Sequence, residues 1–125
     1  MPIEERYEKG LKLLRKMLGE ERAEETRKVW QELSPDFERY VIDFLSGEIW
    51  SRTGLPLKIK SLVTVSALAA LGRTQGLELN IRMALKNGAT RDDIMETLIQ
   101  IAPYAGFPAC WEGLIVARKV FDSPE

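Results

Sequence analysis

The sequence predicts an all-α protein organised around one apolar helix. Between Leu57 and Leu71, apolar side chains fall on every side of a helical wheel, which is typical of a buried helix. Elsewhere apolar residues recur at helical spacing, and no segment alternates apolar and polar residues over the length of a strand. We therefore expect a single domain over residues 1–125, with about seven helices packed around the segment 57–71.

Two helices are expected before residue 34. Apolar side chains recur about one turn apart over residues 4–18, and Gly19 follows them as a stop signal. The apolar members of this first helix are Tyr7, Leu11, Leu14 and Leu18. Residues 21–33 are mostly charged and offer few apolar side chains to bury, so the second helix is expected on the surface.

A third helix is predicted to begin at Ser34-Pro35-Asp36, an N-cap serine followed by proline and an acidic residue in the first turn. The side chains expected on its buried face are Phe37, Tyr40 or Val41, Phe44 and Leu45. Ser46-Gly47 is expected to end it, with a short turn over residues 48–54. Aromatic, acidic and arginine side chains crowd into that turn, which is unusual for a plain linker.

The apolar helix 57–71 lies between Pro56, a start signal, and Gly72, a stop signal. Residues 73–76 are expected to connect it to an amphipathic helix that ends at Asn87-Gly88 with a left-handed cap.

Two further helices complete the predicted chain. Thr90 should cap a helix over residues 91–102, which Pro103 should kink or end because proline removes a backbone hydrogen bond. The last helix follows Gly106-Phe107-Pro108, and its helically spaced apolar residues are Cys110, Trp111, Leu114, Ala117 and Phe121.

Composition and charge limit the partners and the cellular location that we expect for this protein. The chain carries 18 basic and 19 acidic residues, so its charge gives no argument for nucleic acid or an anionic membrane as partner. Its first ten residues have no apolar run of the kind a signal peptide needs, and helix 57–71 is shorter than the roughly 20 residues that span a bilayer. A cytoplasmic location is expected.

Histidine is absent and cysteine occurs once, at Cys110. The absence of histidine removes the side chain most often used for proton transfer near neutral pH and the commonest metal ligand. A single cysteine excludes an internal disulfide and is expected to lie in the core. We expect neither a metal nor an organic cofactor.

Five segments carry a family resemblance: RYEKGL at 6–11, GEIWSRTGL at 47–55, KSLVTVSALAALGR at 60–73, ALKNGAT at 84–90 and YAGFPA at 104–109. In order and spacing they resemble the carboxymuconolactone decarboxylase family, and specifically its gamma-carboxymuconolactone decarboxylase branch. The resemblance implies an all-helical, homo-oligomeric subunit, a trimer or more commonly a hexamer. It also implies removal of CO2 from a carboxylated muconolactone during the breakdown of aromatic acids, without a cofactor.

The chain departs from the alkylhydroperoxidase-like branch of the family at four positions. The alkylhydroperoxidase-like branch has C-x-x-C-x-x-x-H after the central helix and an upstream glutamate, where this chain has Arg73, Gly76, Asn80 and Ser61. A thiol peroxidase is thereby excluded. The resemblance also implies that the decarboxylase branch carries a histidine where this chain has Asn80, and often a second one where it has Gln100.

Decarboxylation of such a lactone sends electrons toward the ring carbonyl, so the site needs a cation or donor there and a proton for the carbon. Arg52 and Arg73 are candidates for carboxylate binding, and the alternative for each is a surface charge at a helix end. They flank helix 57–71, roughly 25 Å apart, so one small site can use both only if different subunits contribute them. Glu48 is the candidate proton donor if it is buried, with a structural salt bridge as its commoner role.

The remaining candidates are Asn80 and Gln100 as catalytic side chains, with Trp50 and Tyr104 as substrate contacts. The alternatives are an exposed helix asparagine, a satisfied buried amide and packing aromatic side chains. Two functions remain open: a cofactor-free decarboxylase or isomerase of a small carboxylated lactone, and an altered homologue that keeps the oligomer and pocket as a ligand-binding or structural protein.

Overall fold

The computed structural model describes residues 2–123, apart from the side chain of Ile3. These residues contain seven α-helices and one π-helix and no strand, which confirms the all-α prediction. The chain divides into two compact units, Met1–Leu55 and Pro56–Glu125, which we describe in turn.

The first unit contains α1 (Ile3–Leu18), α2 (Glu20–Leu33), α3 (Pro35–Arg39) and a π-helix (Tyr40–Trp50) that continues α3 without a break. In a π-helix each backbone N–H bonds to the carbonyl five residues earlier, so a turn holds more residues than in an α-helix. Helix α1 packs on both α2 and the π-helix, and α2 packs on α3.

The helix start predicted at Ser34-Pro35-Asp36 is confirmed, with Ser34 as the N-cap residue. The Ser34 hydroxyl accepts a hydrogen bond of 3.2 Å from the Phe37 N–H, and Pro35 occupies the first helical position. These contacts satisfy one backbone donor at the start of α3.

The predicted end and buried face of this third helical segment are wrong. The helix passes through Ser46-Gly47 and ends at Trp50, so the predicted turn 48–54 begins only at Ser51. Its buried residues are Glu38, Ile42, Asp43, Ser46, Gly47 and Trp50. The residues expected inside are exposed, except the half-buried Val41: Phe37, Tyr40, Phe44 and Leu45. The buried face carries the small and polar residues that meet α1, so the expectation that the most apolar face points inward selected the other side.

The inward face of the π-helix lies backbone to backbone against α1. A Cβ added at Gly10 would overlap the carbonyl oxygen of Ile42, and one added at Gly47 would overlap that of Arg6. The Ser46 hydroxyl donates a hydrogen bond of 2.6 Å to the Gly10 carbonyl. Only glycine permits this approach. Gly10, Ser46 and Gly47 therefore occupy the closest contact, whereas Tyr40, Phe44 and Leu45 lie on the exposed side of the π-helix.

A buried carboxylate joins α3 to α1 and α2. Glu38 is only 4% exposed. It accepts hydrogen bonds of 2.5 Å from the Tyr7 hydroxyl and 3.3 Å from Arg27 Nη1. Burial, followed by the hydrogen bond to Glu38, raises the pKa of Tyr7 to about 12.

We expect Tyr7 to ionise at higher pH than an unperturbed tyrosine, whose pKa is about 10. Since the folded-state pKa is the higher one, the stability from this proton is present below about pH 10 and is lost as the pH rises through about 12. A pH titration followed by phenolate absorbance should show one tyrosine that ionises at higher pH than the others, and Tyr7→Phe should remove this step. Ionisation of every tyrosine in one step near pH 10 would contradict this expectation.

The second unit contains α4 (Leu57–Leu71), α5 (Thr74–Lys86), α6 (Arg91–Ala105) and α7 (Phe107–Asp122). Helix α4 packs against each of the other three. The buried core residues of this unit are Val65, Ala69, Leu77, Ile81, Ala84, Ala89, Ile94, Leu98, Ala102, Cys110, Ala117 and Val120. The prediction that Cys110 lies in the core is confirmed.

Within this chain α4 is not buried all round, so that prediction is wrong. Its buried residues are Ser61, Val65 and Ala69, which form one stripe, whereas Val63 and Leu71 are more than half exposed. The three neighbouring helices of this unit bury that stripe and partly cover Leu62 and Leu68, but they leave Val63 and Leu71 at the surface of the single chain.

The end signals of the second unit are largely confirmed. Gly72 has the left-handed conformation (φ 72°) expected of a C-cap, and Thr90 with Asp93 forms a reciprocal capping box at the start of α6. Two boundaries differ: α5 begins at Thr74, and α6 continues through Pro103 to Ala105. In the described part of the chain, none of the helices has the length and apolar character that crossing a membrane requires.

Candidate functional site

Three of the predicted site residues lie together at the end of the π-helix. Glu48 and Trp50 belong to its last turn, and Arg52 follows in the adjoining bend. The Arg52 N–H donates to the Ile49 carbonyl at 3.2 Å, and the Ser51 hydroxyl donates to the Ser46 carbonyl at 2.9 Å. Trp50 is buried, whereas Glu48 and Arg52 are exposed. The segment therefore has a defined backbone that presents a carboxylate and a guanidinium at the surface of the chain.

The Glu48 carboxylate faces an arginine of α1. Arg6 Nη1 lies 3.7 Å from Glu48 Oε2. The same guanidinium donates two hydrogen bonds to Asp43, from Nε at 2.5 Å and from Nη2 at 3.0 Å. One planar cation thus binds Asp43 in bidentate fashion and presents its third nitrogen to Glu48.

The hydrogen bonds from Arg6 hold the pKa of Asp43 below its usual value, and the same contact raises the pKa of Arg6. The Asp43 side chain is 10% exposed and that of Glu48 is 49% exposed. The burial on which a proton-donor role for Glu48 depends is therefore absent within the single chain.

Sequence reasoning did not identify Arg6 or Asp43 as site residues. Their spacing becomes informative only once the structure is known: Arg6 precedes Gly10 by four residues, and Asp43 precedes Gly47 by four residues. The two glycines meet at the helix contact. Side chains one turn before each glycine are therefore placed to meet as well.

The predicted site residues of the second unit lie at three places. Arg73 is exposed at the junction of α4 and α5, where its N–H donates to the Leu68 carbonyl at 2.9 Å. Asn80 is half-buried on α5, and its amide nitrogen donates to the Gly76 carbonyl of the same helix at 2.9 Å. This bond leaves the amide oxygen of Asn80 as its acceptor for a ligand.

Gln100 and Tyr104 lie one turn apart on the same face of α6, and both are exposed. The interpretation of Gln100 as a buried amide is wrong, and so is that of Tyr104 as a packed ring, since Tyr104 is 85% exposed. Among the described hydrogen bonds, none joins Asn80 to Gln100.

Ser61 belongs to the buried stripe of α4. It is fully buried and accepts a hydrogen bond of 2.9 Å from the Asn87 amide nitrogen. This bond joins α4 to the end of α5 and gives the position a structural role. Within residues 2–123, no three histidine, cysteine or acidic side chains converge to hold a metal ion.

The sequence matches the carboxymuconolactone decarboxylase family over residues 35–119, and the protein belongs to this family. This assignment confirms the family resemblance, and four of the five segments lie within the matched residues. The fifth, RYEKGL at 6–11, which carries Arg6, lies before them.

Individual relatives extend the match to most of the chain. It is 36% identical over 121 residues to 4-carboxymuconolactone decarboxylase of Acinetobacter baylyi, covering 97% of this chain and 90% of that protein. It is also 30% identical over 118 residues to nitrosuccinic acid decarboxylase of Metarhizium robertsii, covering 93% of this chain and 81% of that protein.

Proposed function

We propose that this protein is a decarboxylase of small carboxylated molecules. The observation that carries the proposal is the similarity to 4-carboxymuconolactone decarboxylase over nearly the whole of both chains. The second relative, a nitrosuccinic acid decarboxylase, supports a broader substrate class. In both named substrates an oxygen-bearing group, a lactone carbonyl or a nitro group, can accept the electron pair that CO2 leaves behind.

Within that class we propose 4-carboxymuconolactone as the substrate, in the cytoplasmic breakdown of aromatic acids and without a metal or organic cofactor. The bond to the departing carboxylate breaks, and its electron pair moves to the conjugated carbonyl oxygen as CO2 leaves. Glu48 then gives a proton to the carbon, the carbonyl re-forms, and a proton taken up from solvent restores the Glu48 carboxyl, so that one proton is consumed for each CO2 released.

The other predicted residues have binding roles in this proposal. Arg52 and Arg73, contributed by different subunits, recognise carboxylate oxygens. Asn80 and Gln100 orient the lactone oxygens through their amides. Trp50 and Tyr104 contact the ring.

A homo-oligomer, a trimer or hexamer, is part of the proposal. Each unit exposes apolar side chains at the surface of the single chain: Tyr40, Phe44 and Ile49 in the first, and Val63, Phe107, Trp111 and Ile115 in the second. Apolar surface of this kind marks association sites in soluble proteins.

The alternative is an altered homologue that binds a small carboxylate without decarboxylating it. Two observations favour it: the chain has no histidine, and the Asn80 amide nitrogen is bound to its own helix. An amide orients a ligand but does not exchange a proton as imidazole does.

Incubation of the purified protein with 4-carboxymuconolactone tests the proposal, with loss of substrate absorbance and release of CO2 as readouts. We expect turnover by the wild type. Glu48→Gln should reduce kcat by about 10²–10⁴-fold, the usual contribution of a positioned acid or base. The control is Glu32→Gln, an exposed glutamate of α2 in the same unit, which should leave kcat unchanged.

Asn80→His separates the two candidate functions. A silent wild type with activity gained in Asn80→His would favour the ligand-binding homologue and contradict the decarboxylase. Nitrosuccinate, assayed in parallel, distinguishes a different substrate within the proposed class from an absence of decarboxylation.

A further inference from the structure

We infer that Arg6 is a positioning residue that sets the orientation of the Glu48 carboxylate for proton transfer, an inference that rests on the catalytic role proposed for Glu48. Arg6 acts through Glu48 and has no contact with the substrate in this scheme. The geometry that supports it lies entirely within the first unit.

The first step is the fixed position of the Arg6 backbone. Gly47, the residue before Glu48, lies so close to Arg6 that an added Cβ would overlap the Arg6 carbonyl and stand 2.9 Å from its Cγ. The hydrogen bond from Ser46 to the Gly10 carbonyl, at 2.6 Å, locks the same crossing one turn further along α1. Any movement of Arg6 relative to residues 46–48 therefore disrupts packed backbone.

The second step is the fixed orientation of the guanidinium. Asp43 accepts hydrogen bonds from both Nε and Nη2, which sets the plane of the group. Asp43 is itself nearly buried. The remaining nitrogen, Nη1, then has a defined direction, and Glu48 lies in that direction at 3.7 Å.

The third step is the consequence for Glu48. Its side chain is half exposed, and an exposed glutamate on its own samples several rotamers. A cation held in place favours the rotamer of Glu48 that faces it. Positioning of this kind matters for rate, because misplacement of a reacting group by about 1 Å can cost about 10²-fold.

A purely structural role for Arg6 is the competing explanation, and Tyr7 supplies a matched control for it. Tyr7 is the next residue of α1, and it also binds a carboxylate of the following helical segment, Glu38 at 2.5 Å. Its contact does not involve Glu48. Tyr7→Phe therefore weakens an α1 anchor without altering the environment of Glu48.

The experiment is a double-mutant cycle in steady-state kinetics with Arg6→Gln, Glu48→Gln and the double variant, with Tyr7→Phe beside them. We expect Arg6→Gln to lower kcat by about 10–10²-fold with little change in KM, and to have no further effect once Glu48 is already glutamine. Arg6→Lys should not restore the rate, since an ammonium cannot span both carboxylates. Losses in kcat that multiply in the double variant, or an equal loss in Tyr7→Phe, would overturn the inference.

Two further measurements keep the outcome decisive. If Arg6→Gln fails to fold, Asp43→Asn leaves Arg6 in place but loosens it, and the same dependence on Glu48 is expected. The side-chain carboxyl NMR signal of Glu48 should shift in Arg6→Gln and stay unchanged in Tyr7→Phe, whether or not the protein turns over substrate. An unmoved signal defeats the inference, whereas full activity in Glu48→Gln defeats the proposed role of Glu48 instead.

Discussion

Gly10→Ala is expected to lower the free energy of unfolding by more than about 3 kcal/mol, the upper end of ordinary overpacking. The added Cβ would overlap the Ile42 carbonyl oxygen and would lie 2.8 Å from the Gly47 backbone nitrogen. Both are backbone atoms of the π-helix. A rotamer change cannot relieve the overlap, so α1 and the π-helix must move apart.

That separation removes more than one contact. It stretches the hydrogen bond from the Ser46 hydroxyl to the Gly10 carbonyl, now 2.6 Å, and both groups lie in a buried part of the chain. An unsatisfied buried group costs about 1–3 kcal/mol. Gly47→Ala should produce a loss of similar size, because its Cβ would meet the Arg6 backbone and side chain.

Gly54→Ala is the matched control in the same unit. A Cβ at Gly54 has no atom within 4 Å, so the change should stay within about 0.5 kcal/mol. Urea unfolding followed by circular dichroism measures all three variants, with equal m-values as the check that only stability has changed. A Gly10→Ala midpoint close to that of Gly54→Ala would show that the two helices do not meet at their backbones.

The contact between Gly10 and Gly47 shows why some features of the fold could be predicted from the sequence and others could not. Helix ends are local, so Ser34, Gly72 and the Thr90 capping box could be identified from a few adjacent residues. The buried face of residues 40–50 depends on their winding and on a glycine 37 positions earlier in the chain, Gly10 against Gly47. Neither is a local property, and the rule that apolar residues face inward selected the wrong face.

Helix α4 shows a second limit of the sequence. Its apolar residues predict burial, but they do not specify what covers them. The other helices of the second unit cover the stripe of Ser61, Val65 and Ala69, and leave Val63 exposed. In sequence, an apolar residue that packs against another protein chain cannot be distinguished from an apolar residue of the core.

The candidate site likewise contains some residues that the sequence identified and others that only the structure revealed. Glu48, Trp50 and Arg52 were identified because they crowd one short segment. Arg6 and Asp43 are 37 residues apart, and each alone resembles a solvated charge on an amphipathic helix. Their pairing, and the contact of Arg6 with Glu48, emerge only when α1 and the π-helix are brought together.

Arg27→Ala is expected to lower the free energy of unfolding by about 3–5 kcal/mol, the range for removing one partner of a buried ion pair. The Arg27 side chain is 18% exposed; it donates to Glu24 at 2.6 and 3.0 Å and lies 3.3 Å from the buried Glu38. Without it, Glu38 keeps its hydrogen bond from Tyr7 but loses its nearby cation. The loss arises mainly from the carboxylate that remains, so adding Glu38→Gln to Arg27→Ala should recover part of it.

Arg39→Ala is the control that separates a buried charge from a surface charge. Arg39 also pairs with an acidic residue three positions away, Asp36 at 3.2 Å, but its side chain is 50% exposed and that of Asp36 is 71% exposed. Exposed pairs contribute about 0–1 kcal/mol, so Arg39→Ala should unfold close to the wild type in urea. Equal losses in the two arginine variants, or no recovery with Glu38→Gln, would mean that Glu38 is not held as a buried anion. A large loss confined to Arg27→Ala and relieved by Glu38→Gln would show that the charge left on Glu38 governs the stability of the unit that carries Arg6 and Glu48.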